Sequence, residues 1–585
     1  MTDIQSLRRN SESLKRGFQT LSEIIANHRQ FVILLLAFLI NLLLVSPSLM
    51  PEIYEINPDD EAKYVESGWR LVEGNLRDLA WGPIVALVYA PIHIVVVNSP
   101  DWFMIETWVG RYILYAFLWW SVLYLAFQFK EYASPYIISG VLFINTPFFI
   151  ILNNQSDAVF LGFSALALSQ LIKFSHYHKL RALGLSSLFV GLGVLARVET
   201  VILIATLTLL SLIISRGKSS ARKIILTAIV PALCIMGFYL LISFIIMGSI
   251  NLGIGYKSYD SFEMNQAILT GGDIDLARQE SRRLFGTQEE NHGSILRAIW
   301  RNPSAYALRI LANAKTIPDN YLAFFGKKLG PILLLFAFWG AFVLLQKKAF
   351  LMLVIILAWA THALVSLGFL SLHIIPQVSY LPLLLGAIGI AGLINTESHT
   401  RGRVIFLFTT LLCFLMSWIT DKPAFMIGFL LVVVVLIITW LLQANGKLTQ
   451  VTSLGTVFLL LTVGLILREP YLFPNYPELG ATDNEQAIHY LEANLPPQTM
   501  LLVPSPLQAI AAKMSYITMD AIPGSITTLD EFWNFLKQGN VQSIVVDTNR
   551  RVRNDIYDLF EKGYDPYFIH SYSSPNSTIR IFSVK

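Results

Sequence analysis

About thirteen long apolar runs divide this chain of 585 residues, and they leave few folds open to it. Backbone carried into lipid must satisfy its own polar groups, so uninterrupted apolar runs of about 18 residues or more form membrane helices. Phe31–Met50, Ile224–Met247 and Ala424–Leu442 are hard to read otherwise. Composition agrees: the chain is 54% hydrophobic and only 14% charged, where soluble domains carry roughly 25% charged residues. The expected fold class is a polytopic α-helical membrane protein.

Spans are expected near 31–50, 108–129, 135–152, 157–173, 182–196, 198–215, 224–247, 330–346, 349–370, 376–394, 404–420, 423–442 and 452–467. The polar tail 1–30 carries Arg8, Arg9, Lys15, Arg16 and Arg29, which places it on the cytoplasmic side. It lacks the cleavage site of a signal peptide. The apolar run Pro83–Asn98 decides the rest. If it crossed, the basic clusters Lys173–Arg181, Arg216–Lys223, Lys347-Lys348 and Arg401–Arg403 would all face outside. If it lies in the interface or re-enters, all of them face inside, and the charge bias selects this case. The transmembrane domain then covers 31–467, with outer loops at 51–107 and 249–330, and 468–585 lies outside. The net charge of +4 is spread through short loops, a membrane-topology pattern rather than a nucleic-acid surface. Cys234 and Cys413 both fall inside apolar runs and read as buried thiols.

Segment 468–585 alternates helical and strand-like pieces. A helix is expected at Asp483–Asn494, strands at Met500–Val503 and Ser543–Val546, a helix at Leu529–Lys537 and a last strand at Thr578–Val584. This suggests a small extracytoplasmic α/β domain without a Gly-rich phosphate loop. In the loop after residue 249, Ile295, Ile299, Tyr306, Ile310 and Leu311 suggest amphipathic helices lying on the membrane. The glycosylation sequons at Asn154 and Asn576 read as chance matches.

The chemistry-bearing cluster is Asp59-Asp60-Glu61, just beyond the first span. Ala62, Val65, Trp69, Val72 and Leu76 follow at steps of three or four, so a helix begins at Asp59 or Asp60. The acid is either a cap favoured by the helix dipole or a carboxylate that accepts a proton from an acceptor hydroxyl. A second acid, Asp157, stands at an outer span boundary, where it is solvated, caps a helix or joins the first acid in one site. Ionisable residues at outer span ends are few: Arg111, Arg197, Glu199 and His373. Arg197 and Glu199 pair with each other, Arg111 snorkels and His373 is a solvated loop residue; or these groups grip a lipid phosphate, to which arginine is well suited.

In order and spacing, roughly residues 31–400 resemble the GT-C superfamily of lipid-phosphosugar-dependent glycosyltransferases, most of all the branch holding the protein O-mannosyltransferases and the aminoarabinose transferase of lipid A. The carrying residues are Asp60-Glu61 followed by Tyr64, then Arg111 near the start of the next span, Asp157 opening the fourth, Arg197 and Glu199 after the fifth, and more loosely His373 and Pro376. The resemblance implies a polyprenyl-phosphate-linked sugar donor reached from the membrane lipids, and a lipid, polysaccharide or protein acceptor. It implies Asp60 as catalytic base in an inverting displacement. Glu61 and Asp157 would orient the acceptor or hold a divalent cation, and Tyr64, Arg111, Arg197, Glu199 and His373 would bind substrate. It further implies interfacial helices after the first loop, and a bacterial plasma membrane as location. One departure matters: relatives of the aminoarabinose transferase carry a Lys before a Pro pair where this chain has Trp81-Gly82-Pro83. The resemblance therefore does not carry over the phosphate grip of those relatives, nor with it the same donor. Two alternatives stand beside this: a transporter of lipid-linked sugars, which would instead place its ionisable groups near mid-span, and a non-catalytic relative whose outer domain binds a partner.

Overall fold

The computed structural model describes residues 60–75, 82–132, 155–248, 261–272, 274–325, 329–362, 381–389, 481–522, 528–548 and 567–585, with isolated positions between them. The expected spans at 404–420, 423–442 and 452–467 lie outside the described residues, as do His373 and Cys413.

The first helices are α1 (Asp60–Val72), α2 (Pro83–Val96), α3 (Trp102–Ala126), α4 (Gln155–Tyr177), α5 (Leu180–Ala196), α6 (Ile202–Ile214) and α7 (Ala221–Met247). Three helical segments among the described residues are long and apolar enough to cross a membrane: Trp102–Phe129, Gln155–Tyr177 and Ala221–Ile246. Helix α2, with 14 residues, is one of several shorter apolar helices, with α5, α6 and Phe350–Trp359.

Burial follows position in the bundle. Helix α4 is central and buried along most of its length, packed between α3 and α5. Helix α7 lies at the rim, with Leu233, Phe238, Leu241 and Ile245 exposed. Cys234 is on this exposed side, so the buried thiol expected there is not found. An apolar run alone does not say which face of its helix meets protein and which meets lipid. Pro231 interrupts the hydrogen bonding of α7, and the next amide, Ala232 N–H, donates to Ser187 Oγ of α5 at 3.1 Å. Farther along, α11 (Leu329–Gln346) leads to α12 (Phe350–Trp359), whose Trp359 indole donates to Ser164 of α4 at 2.9 Å.

Between them, α8 (Ile274–Phe285), α9 (Ile295–Arg301) and α10 (Pro303–Phe325) gather around Tyr259, Phe262, Phe285 and Ala298. Ile295, Ile299 and Tyr306 pack onto this core. A separate apolar row, Leu296, Trp300, Leu308 and Leu311, is exposed. Arg309 stands between the Phe262 and Phe285 rings at 4.4 and 4.6 Å and donates to Gln266 and the Phe262 carbonyl, both at 2.8 Å. Burial lowers its pKa to about 10, so it stays charged at neutral pH.

The C-terminal elements are α13 (Ala481–Asn494), β1 (Met500–Val503), α14 (Pro506–Ala511), β2 (Ser515–Thr518), α15 (Leu529–Gln538), β3 (Ser543–Asp547), β4 (Phe568–Ser573) and β5 (Ile579–Val584). Each helix and strand expected from sequence in this segment is present within two residues of its expected start. The sheet order is β2-β1-β3-β5-β4, with β1 parallel to both β2 and β3, and β5 antiparallel to β3 and β4. Strand β3 is buried at every position, which accounts for its unbroken apolar run. Thr528 and Glu531 form a reciprocal cap at the start of α15. Phe532 and Leu536 of that helix cover Ile544, Val546 and Phe582 of the sheet.

Asp483 closes this unit. Its carboxylate accepts from the Thr578 hydroxyl and from Asn576. Burial alone would raise its pKa, but these hydrogen bonds with that of Ser574 win and hold it below the ordinary value. A depressed carboxylate contributes stability that is complete above its unfolded pKa of about 3.9 and is lost as pH falls through the folded value. Asp483→Asn should therefore lower the melting temperature at neutral pH, and the gap to wild type should close in strong acid. Melting curves at both pH values test this.

Candidate active site

Helix α1 begins at Asp60 because Pro58 precedes it and two acids favour the positive end of the helix dipole. It buries Ala62 and Val65 against α2, as the spacing predicted, and Tyr64 besides, and Gly68 lets the two helices cross closely. A Cβ on Gly68 would stand 2.4 Å from Tyr89 Cβ, and one on Gly110 of α3 would stand 2.3 Å from the Tyr89 ring. Tyr89 is thus clamped between α1 and α3, within electrostatic range of Glu61 and Arg111.

Glu61 and Arg111 form a two-pronged ion pair, Nε to Oε1 and Nη2 to Oε2, both at 2.6 Å, with side-chain exposures of 0% and 1%. Arg111 is therefore enclosed by protein and does not snorkel. The pair fixes the first turn of α1 to α3.

A second pair forms opposite. Arg197, at the C-terminus of α5, donates through Nε to Asp157 Oδ1 at 2.9 Å, with Nη2 at 2.8 Å from the same oxygen. Asp157 lies in the first turn of α4. Asp157 is thus a partner of Arg197 that sequence distance does not suggest. Glu199 lies in the short 3-10 turn Val198–Val201, and its side chain is outside the described residues. The two halves are joined by Tyr64, whose hydroxyl donates to Ser156 Oγ at 2.7 Å. Burial is the main reason the Tyr64 pKa is raised; Arg197 works against it and Asp60 with it. Tyr64 stays a neutral donor, with Asp60 and Asp157 both near enough to act on it.

The structure thus brings Asp60, Glu61, Tyr64, Arg111, Asp157 and Arg197 to one place where α1, α3, α4 and the end of α5 meet. Gly82, immediately before α2, closes one side. Gly82 has φ 62°, and a Cβ there would stand 2.4 Å from the Ala196 carbonyl oxygen, next to Arg197. Gly82→Ala should cost roughly 1–2 kcal/mol for the left-handed backbone alone and should displace Arg197. A lower melting point together with lost activity is expected, read by thermal unfolding and a turnover assay.

Sequence reasoning missed a neighbouring layer. Glu66 accepts from Arg70 at 2.6 Å and from the Tyr516 hydroxyl of β2 at 2.9 Å. His93 Nδ1 is 3.1 Å from the buried Glu106 Oε2. Lys513 donates to the Val97 carbonyl at 2.9 Å and lies 5.1 Å from the Trp102 ring centre. The Tyr516 and Lys513 contacts seat the C-terminal unit on α1 and the end of α2. An acid inside the apolar run of α3 was the available signal, since a buried charge requires a partner.

Among the described residues, no group of three or more His, Cys, Asp and Glu could hold a metal ion. Glu61 and Asp157, the carboxylates that sequence offered to a divalent cation, are each occupied by an arginine.

No protein-family model matches the sequence, and a search of curated proteins finds no match. Solved structures do match. The crystal structure of ArnT from Cupriavidus metallidurans bound to undecaprenyl phosphate superposes with a TM-score of 0.56 at 11% identity, over 95% of this chain and 98% of that one. Its apo state gives 0.55 at 11% identity, over the same shares of the two chains. The archaeal oligosaccharyltransferase AglB from Archaeoglobus fulgidus, in complex with an inhibitory peptide and a dolichol-phosphate, gives 0.51 at 13% identity, over 95% of this chain and 74% of that one. The chain has the GT-C fold. The resemblance read from Asp60-Glu61, Arg111, Asp157 and Arg197 thereby holds at the level of architecture.

Proposed function

We propose that this protein is an integral membrane glycosyltransferase that moves a sugar from a polyprenyl-phosphate donor to an acceptor hydroxyl on the outer membrane face, with inversion. The observation that carries the reading is a pair of ion pairs on a GT-C fold, Glu61–Arg111 tying the acidic turn of α1 to α3 and Asp157–Arg197 tying the start of α4 to the end of α5, joined by the Tyr64–Ser156 hydrogen bond. Two fixed pairs flanking Asp60 are an investment in geometry, and preorganised geometry is what displacement chemistry requires.

Asp60 takes the proton of the acceptor hydroxyl. The acceptor oxygen bonds to the anomeric carbon from the face opposite the phosphate, and the bond from carbon to phosphate oxygen breaks. The polyprenyl phosphate leaves with the bonding electrons. Arg197 keeps 13% side-chain exposure against 1% for Arg111, so of the two it is the arginine that meets the phosphate. His373 and Glu199 complete the substrate contacts. Glu61 and Arg111 act as positioning residues.

The N-terminus is cytoplasmic, and the site and the C-terminal unit face outward, in keeping with the basic clusters of the short loops. A bacterial plasma membrane with about thirteen spans is the setting. The test is reconstitution in liposomes with undecaprenyl-phosphate monosaccharides and an envelope extract as acceptor. Release of undecaprenyl phosphate coupled to a glycosylated product of inverted anomeric configuration is expected. Movement of intact donor across the bilayer without product would identify a transporter instead.

A further inference from the structure

Gln155 opens α4, immediately before Ser156 and Asp157. Its residue exposure is 0%, and neither Nε2 nor Oε1 has a hydrogen-bond partner among the described residues. A buried carboxamide with both ends unmet carries the full desolvation cost of a donor and an acceptor. Its neighbours are settled: Ser156 receives Tyr64, and Asp157 holds Arg197. The turn is thus pinned on two sides while its first side chain is unsatisfied.

The chemistry of the missing partner follows from the two unmet atoms. A phosphate offers only acceptors and would leave Oε1 unmet. A polyprenyl chain offers neither donor nor acceptor. Hydroxyl groups supply both, and two adjacent hydroxyls on a sugar ring match the paired donor and acceptor of a carboxamide. The donor sugar is favoured over an acceptor carbohydrate because Gln155 is two residues from Asp157, which holds the arginine assigned to the donor's phosphate.

We infer that Gln155 is a specificity-determining residue that reads two hydroxyls of the lipid-linked donor sugar. This rests on the glycosyltransferase reading above and narrows it: donors lacking one of those hydroxyls should be rejected, because a site built around a hydroxyl discriminates strongly against its loss.

The experiment compares the purified full chain with Gln155→Met, which keeps length and removes both polar atoms. Probes are undecaprenyl phosphate and undecaprenyl phosphate bearing glucose, galactose, mannose or their singly deoxygenated forms. Without ligand, Gln155→Met is expected to melt no lower than wild type, because an unsatisfied amide has been removed. Its affinity for undecaprenyl phosphate should stay within about twofold of wild type. The extra affinity that wild type shows for its preferred sugar-bearing lipid should fall about tenfold or more, and the preference over deoxy forms should vanish.

A ligand-free variant that melts several degrees lower would show that the amide serves the fold and would overturn the inference. So would a variant that keeps the sugar increment. A normal donor affinity with a raised KM for the acceptor would reassign the residue to the acceptor and overturn the donor assignment. If no sugar-bearing lipid binds wild type better than undecaprenyl phosphate, the glycosyltransferase reading itself fails, and this inference with it.

Discussion

Glu61→Ala should destabilise the protein by about 3–5 kcal/mol, the cost of leaving a buried charge without its partner. Arg111 is 1% exposed and bonded to Glu61 through two nitrogens, so water cannot replace the lost carboxylate without opening the seam between α1 and α3. Arg111→Met alone should cost a similar amount, because Glu61 would then be the stranded charge. The double substitution Glu61→Met with Arg111→Met should recover much of the loss, since apolar replacement of a buried pair is often close to neutral. Transfer activity should not recover with it if the pair exists to fix the first turn of α1. Thermal unfolding and turnover measured on all four proteins separate the two effects. Equal activity in the double variant would show that the pair serves stability alone.

Asp60→Asn carries the second large effect, on rate rather than stability. Removal of a general base typically lowers the rate by about 10²–10⁴. Asn preserves the shape of the side chain and still caps a helix. A rate loss of this size with an unchanged melting point is the expected result. A residue that only caps α1 would leave the rate intact.

Much of this site was legible in the sequence, and the limits of that legibility are physical. The Asp-Glu turn followed by Ala62 and Val65 marked the start and the buried face of α1, because helical spacing is local. Val72, at the end of that face, is exposed, which helical spacing does not tell. Asp157 and Arg197 were singled out because charge at membrane depth is costly. Their pairing was not foreseen: 40 residues separate them, and only the packing of α4 against α5 brings them together. The nearer acid, Glu199, was the natural partner on sequence distance alone. Likewise Tyr516 and Lys513 meet Glu66 and Val97 across more than 400 residues, a contact no periodicity encodes. In the C-terminal unit β1, β3 and β5 are readable as short apolar runs between turn residues, whereas β2 and β4, which mix polar with apolar residues, are not. The order of the strands in the sheet was not readable, since it depends on the crossover through α14. Gln155 drew no notice, because a polar residue at a helix start is ordinary until its burial is known.

The most direct test of the central claim is made in cells lacking this protein and restored with wild type or Asp60→Asn at equal expression, with surface glycolipids, glycoproteins and polysaccharides profiled by mass spectrometry. One sugar should be absent in the deletion, return with wild type and stay absent with Asp60→Asn. Equal restoration by both would contradict a catalytic base at Asp60 and leave that carboxylate as a helix cap.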